Sequence, residues 1–124
     1  TALDFREFKK LKDGIGKEDA YGNIVTGYDY NFVLRSGGKE GVKKAAQFRD
    51  SSTGRIMEVF TDLPGLQIYT ANELDIDGCK DGVHYGNFCG ACFPNAINTE
   101  GFPNAILKAG EKFESITVFR FKVF

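Results

Sequence analysis

A chain of 124 residues with 42% hydrophobic and 27% charged side chains can bury a real core in one domain, and it is too apolar to be disordered. A formal net charge of -1 argues against nucleic acid or an anionic membrane as the main partner, because both demand a basic face. Lysines cluster at Lys9, Lys10 and Lys12 and at Lys39, Lys43 and Lys44, but Glu7, Asp13 and Glu40 sit among them, the pattern of a solvated surface.

Taken in chain order, the first segment is "DFREFKKLKDGIG". Phe5, Phe8, Leu11 and Ile15 are spaced as on a helix, yet the lysines and Gly14 favour an extended segment or loop. Four short apolar or β-branched runs follow as strands, at 31–35, 45–50, 54–62 and 66–72, each bounded by Gly, Pro, Asp or Ser. The last strand, "SITVFRFKVF", is the clearest, because Phe119, Phe121 and Val123 alternate with Arg120 and Lys122. The 12 Phe, 15 Gly and absence of Trp suit aromatic strands separated by glycine turns. No repeat, low-complexity tract or linker divides the chain, and no apolar run approaches the roughly 20 residues of a membrane span. The expected class is all-β, a sandwich or part of one whose edges need cover. Thr1 stands first with no signal-peptide pattern near it, so the chain is expected to be processed or a piece of something longer.

Three stretches read together as a signature. They are "TGYDYNFVL" (26–34), "TGRIMEVFTDLPGLQIYTANEL" (53–74) and "CFPNAINTEGFPNAILKAGEKFESITVFRF" (92–121). In that order they resemble the C-terminal part of the aldose 1-epimerase, or galactose mutarotase, family. Residues 1–124 would then be the C-terminal portion of a mutarotase-like β-sandwich, a supersandwich, completed by a chain resembling the N-terminal half. The resemblance implies a pyranose cleft on one sheet. There a general base takes the proton of the anomeric hydroxyl while a general acid protonates the ring oxygen; the ring opens, the C1–C2 bond rotates and the ring recloses. The ligand implied is a monosaccharide, with no metal and no cofactor.

Carried over residue by residue, the resemblance assigns sugar-hydroxyl contacts to Asp29, its neighbour Tyr30 and Gln67; Tyr30 stands where the family has His. The family's catalytic carboxylate is missing. Counting back from Phe93-Pro94 puts its position at Cys89, and matching Phe88-Cys89 to the family's F-C pair puts it at Ala91. The Asp of the family's P-D-A motif is Asn95. An ordinary thiol, with a pKa near 8.5, is a poor substitute for a positioned carboxylate. The family's imidazoles belong to the part that this chain lacks. The first expectation is therefore a mutarotase-fold pseudoenzyme, binding carbohydrate or serving as structure. The alternatives are an active epimerase assembled from two chains, or a secreted or pigment-binding protein on the same scaffold.

Other constellations compete for the same residues. Cys89-Gly90-Ala91-Cys92 is a C-x-x-C without the strand-then-helix setting of a redox motif. Cys79, Cys89, Cys92 and His84 have the inventory of a zinc site but no recognised spacing. A disulfide involving at least one of the three cysteines, within the trio or to another chain, is expected instead. "DIDGCKDG" departs from a calcium loop at Lys80 and Gly86 and reads as a solvated turn. Glu73 reads as an exposed strand end rather than a relocated acid. Compartment stays open: processing points outside the cell, the resemblance to the cytoplasm.

Overall fold

Alternating side chains and tight polar turns give five strands: β1 (Asp29–Val33), β2 (Lys43–Arg49), β3 (Arg55–Thr61), β4 (Gly65–Tyr69) and β5 (Thr117–Val123). The structure, a computed structural model, describes residues 1–35, 41–92 and 106–124. All five strands expected from sequence form, with ends shifted by a few residues. The segment 4–16 supplies only a 3-10 turn at Leu11–Gly14, as its lysines and Gly14 foretold. The polypeptide divides into two compact units: Thr1–Tyr30 with Ile68–Cys92, and Asn31–Gln67 with Phe93–Phe124. Each is discontinuous in sequence, which is why no linker marks the division.

The first unit is built on Tyr28. Tyr28 and Val25 are fully buried, with Ala2, Ile68 and Ala71 nearly so. The Phe5 ring meets Tyr28 edge-on at 5.4 Å, and the Tyr28 hydroxyl donates to the Leu11 carbonyl at 2.9 Å. A Cβ on Gly14 would lie 2.1 Å from that hydroxyl, so only glycine fits there. Lys9 folds back over Phe5 and donates to the Ala2 carbonyl at 2.6 Å, which ties the first residues to this cluster. Asp19 closes a small turn by accepting from the Tyr21 and Asn23 amides at 2.8 and 2.9 Å. These bonds, led by that from Asn23, hold its carboxyl below the usual range.

The second unit carries a three-stranded antiparallel sheet, ordered β2-β3-β5. The turn between β2 and β3 is set by Asp50, whose carboxylate accepts from the Ser52 amide, the Ser52 hydroxyl and the Thr53 hydroxyl. Those bonds, the Thr53 hydroxyl first, hold the Asp50 carboxyl at about 2. Gly54 follows at φ 72°, in the left-handed region. Register then sorts the faces. Gln47, Glu58 and Arg120 lie in one row, with Arg49, Ile56 and Lys122 in the next. The opposite face carries Phe48, Met57 and Phe121, with Val59, fully buried, beside Phe119. Burying a side chain of Val59's size contributes about 2 kcal/mol. On β5 the apolar residues stay open: Phe119, Phe121 and Val123 are 46%, 74% and 76% exposed.

Glu58 is the electrostatic hub of the polar face. It is buried at the centre of the sheet, with Lys44 at 2.6 Å, Lys122 at 3.1 Å and Arg120 at 3.6 Å. Arg120 also lies over the Phe60 ring, 4.6 Å from its centroid. The Lys44 bond, then that of Lys122, lowers the Glu58 pKa from its ordinary 4.5. A carboxyl with a depressed folded-state pKa contributes stability above its unfolded value and loses it as pH falls through the folded value. Thermal midpoints are therefore expected to fall as pH drops below 4.5, and Glu58→Gln should flatten that acid limb. An unchanged limb in Glu58→Gln would refute this assignment.

Candidate functional site

The start of β1 is fixed by a small hydrogen-bonded lock. The Tyr28 amide donates to the Thr70 hydroxyl at 2.9 Å, and the Thr70 amide donates to the Tyr28 carbonyl at 3.0 Å. Asn72 donates its amide to that same carbonyl at 3.0 Å and accepts the Thr70 hydroxyl proton at 2.6 Å. Between them Ala71 adopts φ 53°, which turns the chain back on itself. Gly27 lies against this lock, because a Cβ there would fall 2.2 Å from the Asn72 side-chain oxygen. The T-x-N of "YTAN" is thus the clamp that delivers Asp29 to the first position of β1, where it is exposed.

Strand alternation places Tyr30 on the other side of β1 from Asp29. Its ring packs edge-on at 6.5 Å against Tyr28. Gln67 is half-buried at the centre of β4. The Leu34 amide donates to the Pro64 carbonyl at 2.9 Å, which sets the β1–β4 register and puts Asn31 opposite Gln67. Sequence reading gave Asn31 no role. Its side-chain nitrogen and oxygen are both buried, and neither has a hydrogen-bond partner.

The segment from Glu73 to Cys92 carries the remaining candidates. Ile76 and Tyr85 exchange amide bonds of 2.9 Å across a loop, with a 3-10 turn at Lys80–Gly82. His84 is exposed and sits between Asp77, 2.8 Å from Nδ1, and Asp75, 3.5 Å from Nε2. Glu73 is exposed just beyond β4. Phe88, at φ 65°, donates its amide to Ala71, and Cys92 exchanges amide bonds of 2.8 and 3.1 Å with Tyr69. Cys89 therefore lies exposed on a short arc pinned at both ends to the chain around the end of β4. Ala91 shares that arc and is also exposed. The motif residues Phe93, Pro94 and Asn95 lie outside the described residues.

No disulfide forms within this chain, where Cys79, Cys89 and Cys92 are all free thiols; a bond to another chain stays an expectation. Cys79 is half-buried in the 79–83 turn with its Sγ directed at the Ile76 carbonyl at 3.5 Å, while Cys89 and Cys92 are exposed. Counting thiols cannot supply the Cβ geometry that a disulfide requires. Among the described residues, no group of three or more His, Cys, Asp or Glu side chains is placed to hold a metal ion, and no helix is long and apolar enough to cross a membrane.

Comparison with known proteins gives the lineage of this arrangement. The family model for aldose 1-epimerase matches residues 1–120. Galactose mutarotase of Bos taurus is 40% identical over 130 aligned residues, covering 99% of this chain and 36% of the relative. The Homo sapiens galactose mutarotase is 37% identical with the same coverage. Aldose 1-epimerase of Escherichia coli is 28% identical, covering 98% of this chain and 36% of the relative. The chain thus spans little more than a third of the length of these relatives, and it belongs to the aldose 1-epimerase family.

Proposed function

We propose that this chain supplies hexose-binding side chains of an aldose 1-epimerase-type site but not its base, so that the protein holding it binds sugar without interconverting anomers. The observation that carries this reading is an exposed thiol, Cys89, where the family resemblance expects a carboxylate. The alternative alignment supports it equally, since Ala91 has no titratable group. Asp29 and Gln67 retain the residue types that grip vicinal hydroxyls: a carboxylate accepts, and an amide both donates and accepts. The bovine and human relatives are named for galactose, which makes D-galactose the first ligand to try.

The same proposal includes a completing polypeptide. The chain covers 36% of its relatives, and β5 leaves three large apolar side chains open on a sheet edge. Sheet edges and apolar faces of this kind call for cover. The occupant we assign is polypeptide equivalent to the rest of the family fold, on a separate chain or joined to this one.

Polarimetry of freshly dissolved α-D-galactose with the native protein is the test, alongside calorimetric binding and sedimentation. Expected are sugar binding, rotation no faster than a buffer blank, and a native mass above 13.7 kDa. Acceleration over the blank would replace this reading with the active epimerase. Absence of any sugar binding would favour the scaffold-only protein. A well-folded 13.7 kDa monomer would remove the completing polypeptide.

A further inference from the structure

Asn31 carries a defect that the fold does not explain. It sits at the middle of β1, and both polar atoms of its carboxamide are sealed from solvent without a hydrogen bond. Leaving one such group unsatisfied is costly, and native chains carry few. The Asn31 amide leaves a donor and an acceptor unsatisfied together. Leucine has the same branched outline, though it is bulkier, and carries no polar atom to leave unsatisfied. A polar side chain retained at such a cost suggests a partner that arrives later.

The surroundings narrow what that partner is. Asn31 stands opposite Gln67 at a position where the two strands do not exchange backbone bonds; the bonds fall at Leu34–Pro64 and at Tyr28–Thr70. Such pairs bring their side chains closer than bonded pairs do. Even so, the facing carboxamide of Gln67 leaves Asn31 unsatisfied. Two amides side by side present alternating donors and acceptors. A single hydroxyl donates once and accepts, so adjacent hydroxyls of a polyol match that array. An amide with no hydrogen bond to lose can also turn at the cost of packing alone, and strand side chains have two common χ1 wells.

We propose that Asn31 is a further sugar-binding residue, whose carboxamide turns toward Gln67 and takes a hexose hydroxyl when ligand binds. This rests on the sugar-binding reading above and adds a residue that sets specificity for one hydroxyl.

The experiment uses the native protein and its Asn31→Leu and Asn31→Asp variants. Binding of D-galactose and of its 2-, 3-, 4- and 6-deoxy analogues is measured by calorimetry, and melting is followed in the absence of sugar. Asn31→Leu loses no hydrogen bond, so any fall in its melting temperature should be no more than its extra bulk costs, and it should bind D-galactose at least about tenfold more weakly. For one deoxy sugar, the one lacking the contacted hydroxyl, parent and Asn31→Leu should bind alike. Asn31→Asp keeps the shape and an acceptor, and should fall between them. Unchanged D-galactose affinity in Asn31→Leu overturns the proposal. So does an equal loss on every deoxy sugar, or a clear drop in melting temperature with affinity intact, each of which marks a structural amide. If the parent itself binds none of these sugars, the sugar-binding reading fails first and the proposal falls with it.

Discussion

Cys89→Glu is expected to give the protein measurable mutarotase activity. The substitution places a carboxyl with an ordinary pKa near 4.3 on the arc between Phe88 and Cys92, whose ends are fixed by amide bonds to Ala71 and Tyr69. At neutral pH that group is ionised and can accept the anomeric proton. A positioned base contributes about 10²–10⁴-fold, and a group grafted without its supporting contacts recovers part of that. A gain of at least about tenfold over the parent in polarimetry is the expected result. Adding Asp29→Ala should abolish it, since proton transfer needs the sugar held in register. The arc has two exposed positions that the family carboxylate could have occupied, so Ala91→Glu is the rival. Activity in Ala91→Glu alone would move the lost base to position 91. Sugar binding without activity in either variant would mean that the imidazole acid is missing from the completing polypeptide as well.

The largest stability effect is expected from Gly27→Ala. Gly27 does not have a positive φ, so alanine is not excluded by backbone conformation. The obstacle is the Asn72 side chain, with its oxygen 2.2 Å, its Cγ 2.3 Å and its nitrogen 2.7 Å from the new methyl. Asn72 cannot step aside freely, because it is bonded at both ends, to Thr70 and to the Tyr28 carbonyl. Overpacking together with the loss of those bonds should cost about 2–4 kcal/mol. Gly16→Ala is the informative contrast. Gly16 lies at φ 77° with nothing near its Cβ, so only conformational strain of about 1 kcal/mol is expected. Urea melts of the two variants check the order, and equal midpoints would refute the clamp. Gly27→Ala should also weaken sugar binding, because the same clamp sets where Asp29 emerges.

The strands were legible because their signal is local. The alternation of Phe119, Arg120, Phe121 and Lys122 reports a two-faced strand whatever it pairs with. The family signature was legible for a similar reason, since "TGYDYNFVL" and "PGLQIYTAN" are contiguous. What stayed hidden depends on residues far apart in sequence. Glu58 looks like an ordinary polar position in "RIMEVF", and only the register reveals three cations converging on it from β2 and β5. Asn72 gives no hint in sequence that its partner is a carbonyl 44 residues away. Asn31 is ordinary in sequence and anomalous only once its amide is seen buried without partners. A disulfide within the chain was expected on residue counts, and the positions of Cys79, Cys89 and Cys92 do not bear that part out.

The sheet around Glu58 also carries an order of assembly in its pairings. β2 and β3 are joined by a short turn, residues 50–54, whereas the hydroxyl contact between Thr61 and Thr117 spans 56 residues. Closing the longer connection costs about 2 kcal/mol more in chain entropy. The hairpin is therefore the natural nucleus, with β5 arriving after it. Glu58 meets Lys44 within the hairpin, but Lys122 and Arg120 only when β5 is in place. The carboxylate thus guides the last strand into register by attraction across water, and dissolved salt weakens that guidance before it touches the hairpin.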